Sequence, residues 1–459
     1  MIECVMEGPA GNRPLVALDV RDVRDRLGDL DLTGSEGDLI ELVASLEEVK
    51  CAAAAAQARV TAALYAARRA ADAARGVDLA ETARSVRSQV ALARKEAPFR
   101  GSRLLGLAQA LTRELPQTFA AMSGGAVSEW VATQVAAQTA CLSPELRRQV
   151  DAEIAPSLPS LSARQARGRA ARLTASADAA SVVRRNAAAV ASRRVSLRPA
   201  PDGMSILSAI LPLADGVAAY AALRTSADAA PASTPALGLG ARMADLLVER
   251  VTGRHPAKGY DVELRLVMSV DSLVCAGEDA ADGDGDDAAY LEGCGGVPAA
   301  WARAIVAAAG RTGAGESEVR EARAFVRRLF THPGDSGMVQ LESSSREFRG
   351  LLRESIVARD QSCRMPFCDA PIRHVDHIRR AADGGPTSLD NGQGLCERCN
   401  YVKEAAGWAQ RRAPDREEHV VVTTTPTGHV YESWPTPLPG TVRIASPLEL
   451  HLSRLLDAA

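Results

Sequence analysis

Cys363-Arg364-Met365-Pro366-Phe367-Cys368 and Leu395-Cys396-Glu397-Arg398-Cys399 are the stretches that decide how this chain is read. Each holds two thiols at turn spacing, Cys-x4-Cys and Cys-x2-Cys, and 27 residues separate the pairs. Two such pairs can present four sulfurs tetrahedrally to one zinc ion. Four thiolates leave no open position for water, so the predicted ion is structural. Its binding energy substitutes for a core that the short, polar intervening segment cannot build. The competing reading is four free thiols in a core. The remaining cysteines, Cys4, Cys51, Cys141, Cys275 and Cys294, are scattered and read as small buried hydrophobes.

Between the pairs lie Arg373-His374-Val375-Asp376-His377-Ile378, then Asp383-Gly384-Gly385, then Asn391. Just past the last cysteine comes Asn400-Tyr401-Val402-Lys403. This pattern resembles the HNH endonucleases. Asp-His closes a first strand, Gly-Gly stands in the loop, Asn precedes the second cysteine pair, and Cys-x-x-Cys-Asn-x-x-Lys enters a helix. The third motif position is Asn400 rather than His, a variation the family accepts. The resemblance implies a ββα-metal fold and hydrolysis of phosphodiester bonds in DNA, with RNA as the alternative.

It also implies roles for the residues. His377 would be the general base, since imidazole titrates near working pH. Asp376 and Asn400 would offer oxygen ligands to a catalytic Mg²⁺ or Mn²⁺. Asn391 would order the loop and so fix His377. Lys403 would reach a phosphate as a point charge, and Arg379 and Arg380 would flank the substrate backbone. Each signal has a bland counterpart. A lone Asp-His dipeptide usually means nothing, and an Asn near a helix start is usually an N-cap. His374 is read as a structural neighbour, with a zinc role as the alternative. The joint spacing favours the active-site reading.

Working outward, Arg349–Asp360 reads as a helix whose arginines either meet phosphate or form a solvated face, and Met338–Glu342 as a strand. Val420–Thr423 and His429–Tyr431 flank Thr427-Gly428 and predict a hairpin. Upstream the character changes. Aromatics are 3% of the chain while hydrophobic residues are 46%, so the core must be built from Ala, Leu and Val, which suits close-packed helices. Spacings of three and four predict a long helix, or two in series, from Leu39 to Ala74. Further helices are expected at 79–95, 102–113, 127–139, after Ser143-Pro144-Glu145, at 162–173, 178–194, 216–225, 241–251, 298–309 and 317–329. Val195–Arg198 and Met204–Leu207 flank Pro201-Asp202-Gly203 and predict a hairpin, and Val262–Val267 a strand. Glu278–Asp287 is an acidic loop without the closing Glu of a calcium site.

These helices, the hairpin and the 268–297 region are similar to the actinobacterial helical domain of unknown function that commonly precedes an HNH module. That family carries no activity of its own; target recognition, dimerisation and regulation stay open. The expected fold class is a mainly α N-terminal domain with a small hairpin region, followed by a small α+β, zinc-stapled module. The expected divisions are an irregular leader at 1–37 with a short helix near Val20–Leu27, a helical region at 38–330, the HNH module at 338–410, and a hairpin and tail at 411–459.

The 459 residues carry a net charge of −3, which does not advertise nucleic-acid binding, although local patches and not the total set phosphate contacts. No stretch of about 18 apolar residues appears, and the start lacks signal-peptide character, so the expected location is the cytoplasm with no membrane partner. Self-association through the N-terminal helices is a further option. Two other functions compete with the nuclease: a zinc-containing nucleic-acid binder without turnover, and a helical interaction scaffold.

Overall fold

The computed structural model describes residues 16–200, 204–229, 238–253, 266–267, 289–291, 295–303, 342–343, 345–414, 416 and 418–436. Contacts divide the chain into two units, Met1–Val60 with Gln109–Ala177, and Thr61–Ala108 with Asp178–Ala459.

The first unit is helical. After α1 (Ala17–Arg26) comes α2 (Glu36–Ala73), a single uninterrupted helix where the sequence allowed one or two. Its start is set locally. Asp38 Oδ2 accepts from Ser35 N at 2.8 Å, and Ser35 Oγ accepts from Asp38 N at 3.3 Å. These reciprocal bonds form a capping box. Within this unit α2 buries Cys51, Ala55 and Ala58 at spacings of four and three. The end of α4 (Gly101–Arg113), α5 (Pro116–Ser123), α6 (Glu129–Thr139), α7 (Pro144–Ile154) and α8 (Ala163–Ala177) complete it. Their core is aliphatic, from Leu111, Leu115 and Met122 to Val135, Ile154 and Leu158, all at most 2% exposed.

Helix α7 begins where the Ser-Pro-Glu signal placed it, with Ser143 Oγ accepting from Leu146 N at 3.3 Å. Helix α5 was not anticipated, because its own N-cap, Leu115, has no capping side chain. The cap comes from α7: buried Asp151 accepts from Gln117 N at 2.7 Å and Thr118 N at 3.1 Å.

In the second unit, α3 (Leu79–Ala93) is capped by Asp78, whose carboxylate accepts from Ala80 N at 2.8 Å. Its Val86 and Val90 join Tyr65 of α2 and Leu104 and Leu105 of α4. Helix α9 (Ala179–Ala191) precedes, and α10 (Leu213–Ala229) and α11 (Leu239–Thr252) follow, the expected hairpin, in which β1 (Arg194–Pro199) pairs antiparallel with β2 (Ser205–Ile210). Nearly every hairpin residue is exposed, Val195 and Leu197 included. Short strands β3 (Leu266–Val267), β4 (Ala289–Leu291) and β5 (Gly295–Val297) form an antiparallel sheet. The acidic loop, the 317–329 helix, the second half of the 298–309 helix and most of the 338–342 strand lie outside the described residues, as do Cys4, Cys275 and Cys294.

The C-terminal module of this unit opens with β6 (Glu342–Ser343) and α12 (Gly350–Asp360). Strand β7 (His374–His377) pairs antiparallel with β9 (Gly392–Leu395), opposing Asp376 to Gln393 and His377 to Gly392, while β8 (Thr387–Ser388) pairs with β6. Helix α12 lays Leu352 and Ile356 against Phe348, Leu389 and Val375. The short helix α13 (Glu397–Lys403) follows the second cysteine pair. The predicted tail hairpin gains a third strand: β10 (Ala409–Arg412), β11 (Val421–Thr424) and β12 (Val430–Ser433) form one antiparallel sheet in that order.

Candidate active site and thiol cluster

The first cysteine loop closes on itself and on the sheet. Cys363 N donates to Ala370 O at 3.0 Å, Cys368 N to Met365 O at 3.0 Å, and Arg364 N to Gly394 O at 2.9 Å. Phe367 takes a left-handed φ of 60°, a conformation that costs a residue with a Cβ about 1–2 kcal/mol, to turn Cys368 inward. The second pair needs no loop, since Cys396 is the N-cap of α13 and Cys399 sits inside it.

The four sulfurs lie within 4.8 Å of one another. Cys368 Sγ is 3.9 Å from Cys396 Sγ and 3.8 Å from Cys399 Sγ. Four sulfurs at about 2.3 Å from one tetrahedral zinc stand about 3.8 Å apart, so the cluster is compatible with a structural zinc site. The thiols share their protons unequally: hydrogen bonding with its neighbours holds Cys396 low, while the same bonds and burial push Cys399 up. A dication replaces those protons on binding.

Around the cluster, Met365, Leu395, Val402, Ala405 and Trp408 form a buried core, and Leu92 of α3 belongs to it. Trp408 Nε1 donates to Ser85 Oγ of α3 at 3.0 Å, and Thr427 Oγ1 donates to Gln89 Oε1 at 3.0 Å. The module therefore borrows a helix from the region read as a separate accessory part. The one signal for this was Trp408 itself, a tryptophan in a chain with four.

At the end of β7, His377 is buried and its ring packs 4.7 Å from that of Phe348. His377 Nε2 lies 3.0 Å from Thr387 Oγ1, and Nδ1 lies 3.7 Å from Asp376 Oδ1. Burial pulls the imidazole below its ordinary pKa, against the opposing pull of Asp376, which favours the neutral ring. Burial pushes Asp376 up, but the Lys403 ammonium 2.9 Å from its Oδ2, together with the His377 amide and ring, holds the carboxyl below the usual range.

Asn391 bridges the loop that follows. Its Oδ1 accepts from Arg379 N at 2.9 Å, and its Nδ2 donates to Arg379 O at 3.0 Å and Pro386 O at 2.8 Å. Gly385 is required beside it, because a Cβ there would lie 1.9 Å from Arg379 O.

Asn400 is not the N-cap of its helix; Cys396 is, and Asn400 N donates to Cys396 O at 3.0 Å. Asn400 Oδ1 is buried without a hydrogen-bond partner among the described residues.

Two basic residues, Lys403 and Arg359, are buried where the sequence reading put them facing phosphate or solvent. Lys403 does not face solvent: it is 6% exposed and donates to His377 O at 3.0 Å and Glu404 Oε1 at 2.7 Å as well as meeting Asp376. Two converging carboxylates make that burial tolerable. Arg380 is half-exposed and paired with Glu404 at 2.9 Å, while exposed Arg379 donates to Asp383 O at 2.6 Å. On α12, Arg359 is a buried strut, bonded to Asp360 and to the carbonyls of Leu389 and Gly392 at 2.7 Å. His374 is exposed on β7, and it is not among the cluster's ligand atoms.

The antiparallel strand pair, the short helix and the four-thiol clasp define an HNH endonuclease domain, and that family matches residues 361–405. A second match, over residues 44–309, is to the domain of unknown function DUF222. It covers more than half of the chain, and the chain belongs to the DUF222 family. Among curated relatives, the uncharacterized protein Rv3776 of Mycobacterium tuberculosis (strain ATCC 25618 / H37Rv) is 31% identical over 151 residues, 32% of this chain and 25% of that protein. The uncharacterized protein MT2160 of Mycobacterium tuberculosis (strain CDC 1551 / Oshkosh) is 33% identical over 107 residues, 23% of this chain and 18% of that protein. The chain thus spans a quarter or less of the length of these relatives. No solved structure matches it. No helix among the described residues is long and apolar enough to cross a membrane.

Proposed function

We propose that the chain is a metal-dependent endonuclease that hydrolyses phosphodiester bonds in DNA, with His377 as general base. The observation that carries this reading is the carbonyl oxygen of Asn400, buried with no hydrogen-bond partner among the described residues. A buried acceptor left unpaired costs about 1–3 kcal/mol, and a cation would relieve it. The HNH match supports the same chemistry.

Asp376 and Asn400 would hold a hard divalent ion such as Mg²⁺ or Mn²⁺; both offer oxygen, the donor such ions select. Bound there, the ion would supply charge neutralisation at the scissile phosphate. The remaining work belongs to side chains. In the tautomer whose Nε2–H donates to Thr387 Oγ1, His377 keeps its lone pair on Nδ1, which would take a proton from the attacking water. Asn391 holds the loop after His377, and Arg379 and Arg380 flank the substrate backbone. Lys403 acts on Asp376 rather than on phosphate. The four cysteines hold zinc as a structural staple.

The test is incubation of the full chain with supercoiled plasmid and Mg²⁺ or Mn²⁺, beside His377→Ala. Nicked or linear product that falls by a factor on the order of 10²–10⁴ in the variant is expected. Equal cleavage by both proteins would remove His377 from the mechanism. The ion pair of Lys403 with Asp376 favours the rival reading, a binder without turnover. Salt-sensitive DNA binding with intact plasmid under both metals would select it.

A further inference from the structure

Helix α3, from the domain of unknown function, and helix α13, from the HNH module, enclose a cleft of about 270 Å³ lined by Arg84, Arg87, Ser88, Glu397, Arg398 and Tyr401. All six belong to the same compact unit. We propose that this cleft binds the phosphate backbone of duplex DNA, so that α3 supplies part of the substrate surface of the nuclease; this rests on the nuclease reading above.

The charge in the cleft is unspent. Arg84, Arg87 and Arg398 form no salt bridge among the described residues, and neither does Glu397 beside them. Elsewhere in the module several cations are neutralised, Arg359 by Asp360, Arg380 by Glu404, Lys403 by Asp376 and Arg412 by Asp390, while exposed Arg379 donates to a backbone carbonyl. The cleft holds three guanidiniums against one carboxylate, Glu397, in a chain whose net charge is negative. Their mutual repulsion is relieved by an anion. A guanidinium fork also matches phosphate oxygens in geometry, and sequence-independent DNA affinity is built from such contacts.

The groups are held in place. The Arg84 guanidinium lies over the Tyr401 ring, 5.9 Å from its centroid, and Tyr401 is 56% exposed. Arg398 Nη1 donates to Pro98 O at 3.2 Å and to Ser102 Oγ at 3.3 Å, anchoring the start of α13 to the segment after α3. Trp408, just after α13, donates to Ser85 Oγ of α3 and ties the two segments together. Tyr401 directly follows Asn400, so DNA lying across the cleft runs along the helix that carries a proposed ligand of the catalytic ion.

The test uses full-length protein in a His377→Ala background, grown with zinc, and fluorescence anisotropy of a short labelled duplex across a NaCl series. Arg84→Gln combined with Arg87→Gln is expected to weaken binding on the order of tenfold at moderate salt. The slope of log affinity against log salt should fall by about two, since each phosphate contact contributes about 0.9. Arg84→Lys with Arg87→Lys should restore the slope, because it restores the charges, and bound zinc should stay at the parent's level. A parent that binds DNA and a glutamine pair that binds as the parent does would overturn this proposal and leave the nuclease reading standing. A parent that binds no DNA overturns both. Preference for single-stranded RNA of the same length overturns the duplex assignment.

Discussion

Lys403 Nζ stands 2.9 Å from Asp376 Oδ2, and the lysine side chain is 4% exposed. A buried ammonium beside a carboxylate is a paired charge whose partner suffers when it is removed. Lys403→Met is expected to cost about 1–3 kcal/mol, at the lower end of buried-pair losses because Asp376 keeps some solvent contact. Urea unfolding at neutral pH measures it. A double-mutant cycle with Asp376→Asn should show a coupling of at least about 0.5 kcal/mol. Strictly additive losses would mean that the pair carries no energy.

Zinc removal should loosen more than the cysteine loops. Trp408 is 6% exposed and shares its core with Cys363, Cys399 and Leu92, whereas Trp130, Trp301 and Trp434 are 38–55% exposed. Chelation, or Cys399→Ser, is therefore expected to shift tryptophan emission to the red through Trp408. It should also raise amide exchange along α3, which the module's core helps to hold. Unchanged protection of α3 after zinc loss would show that this helix needs nothing from the thiol cluster.

The loop after His377 depends on a close approach. A Cβ on Gly385 would lie 1.9 Å from Arg379 O and 2.8 Å from Asn391 Nδ2. Gly385→Ala and Asn391→Ala should both release the bridges that Asn391 makes, each costing about 1–3 kcal/mol. Plasmid cleavage should fall with them, since the same loop ends on the strand bearing His377. Stability at the parent's level in Gly385→Ala would show that the loop relaxes freely.

His419 gives the fold an acid limit. Burial, with the nearby Arg359 charge, brings its pKa down to about 4. Nε2 lies 2.8 Å from Asp390 O, as a donor to that carbonyl, and Nδ1 has no partner among the described residues. The folded value thus lies below the unfolded value of about 6.5. As pH falls through 6.5 the unfolded chain takes up a proton that the folded chain refuses, so stability declines until about pH 4 and then levels. Urea midpoints at successive pH values should fall more steeply for the parent than for His419→Gln. Parallel curves would remove His419 from the acid response.

What was legible in the residues follows from range. The two cysteine pairs close through turns within a few residues, so their spacing carried the metal chemistry. Helices α2 and α7 announce themselves by local periodicity and by Ser-Pro-Glu. Helix α5 stayed hidden because its cap, Asp151, lies 33 residues from Thr118. Lys403 read as a phosphate contact because lysine ordinarily faces water; what buries it is the convergence of Asp376 and Glu404.

The sequence by itself determined that four thiols would converge, that an Asp-His strand end and an Asn-bearing helix would flank them, and that alanine-rich helices would precede them. Each of those depends on neighbours a turn or a pleat away. Only the tertiary structure decided which surface α3 covers, since an apolar stripe says that burial will occur and not against what. Ser85 and Trp408 are 323 residues apart, and nothing in either segment names the other. Which cations are neutralised and which remain open was settled in the same way, because pairing depends on where carboxylates arrive once the chain has closed.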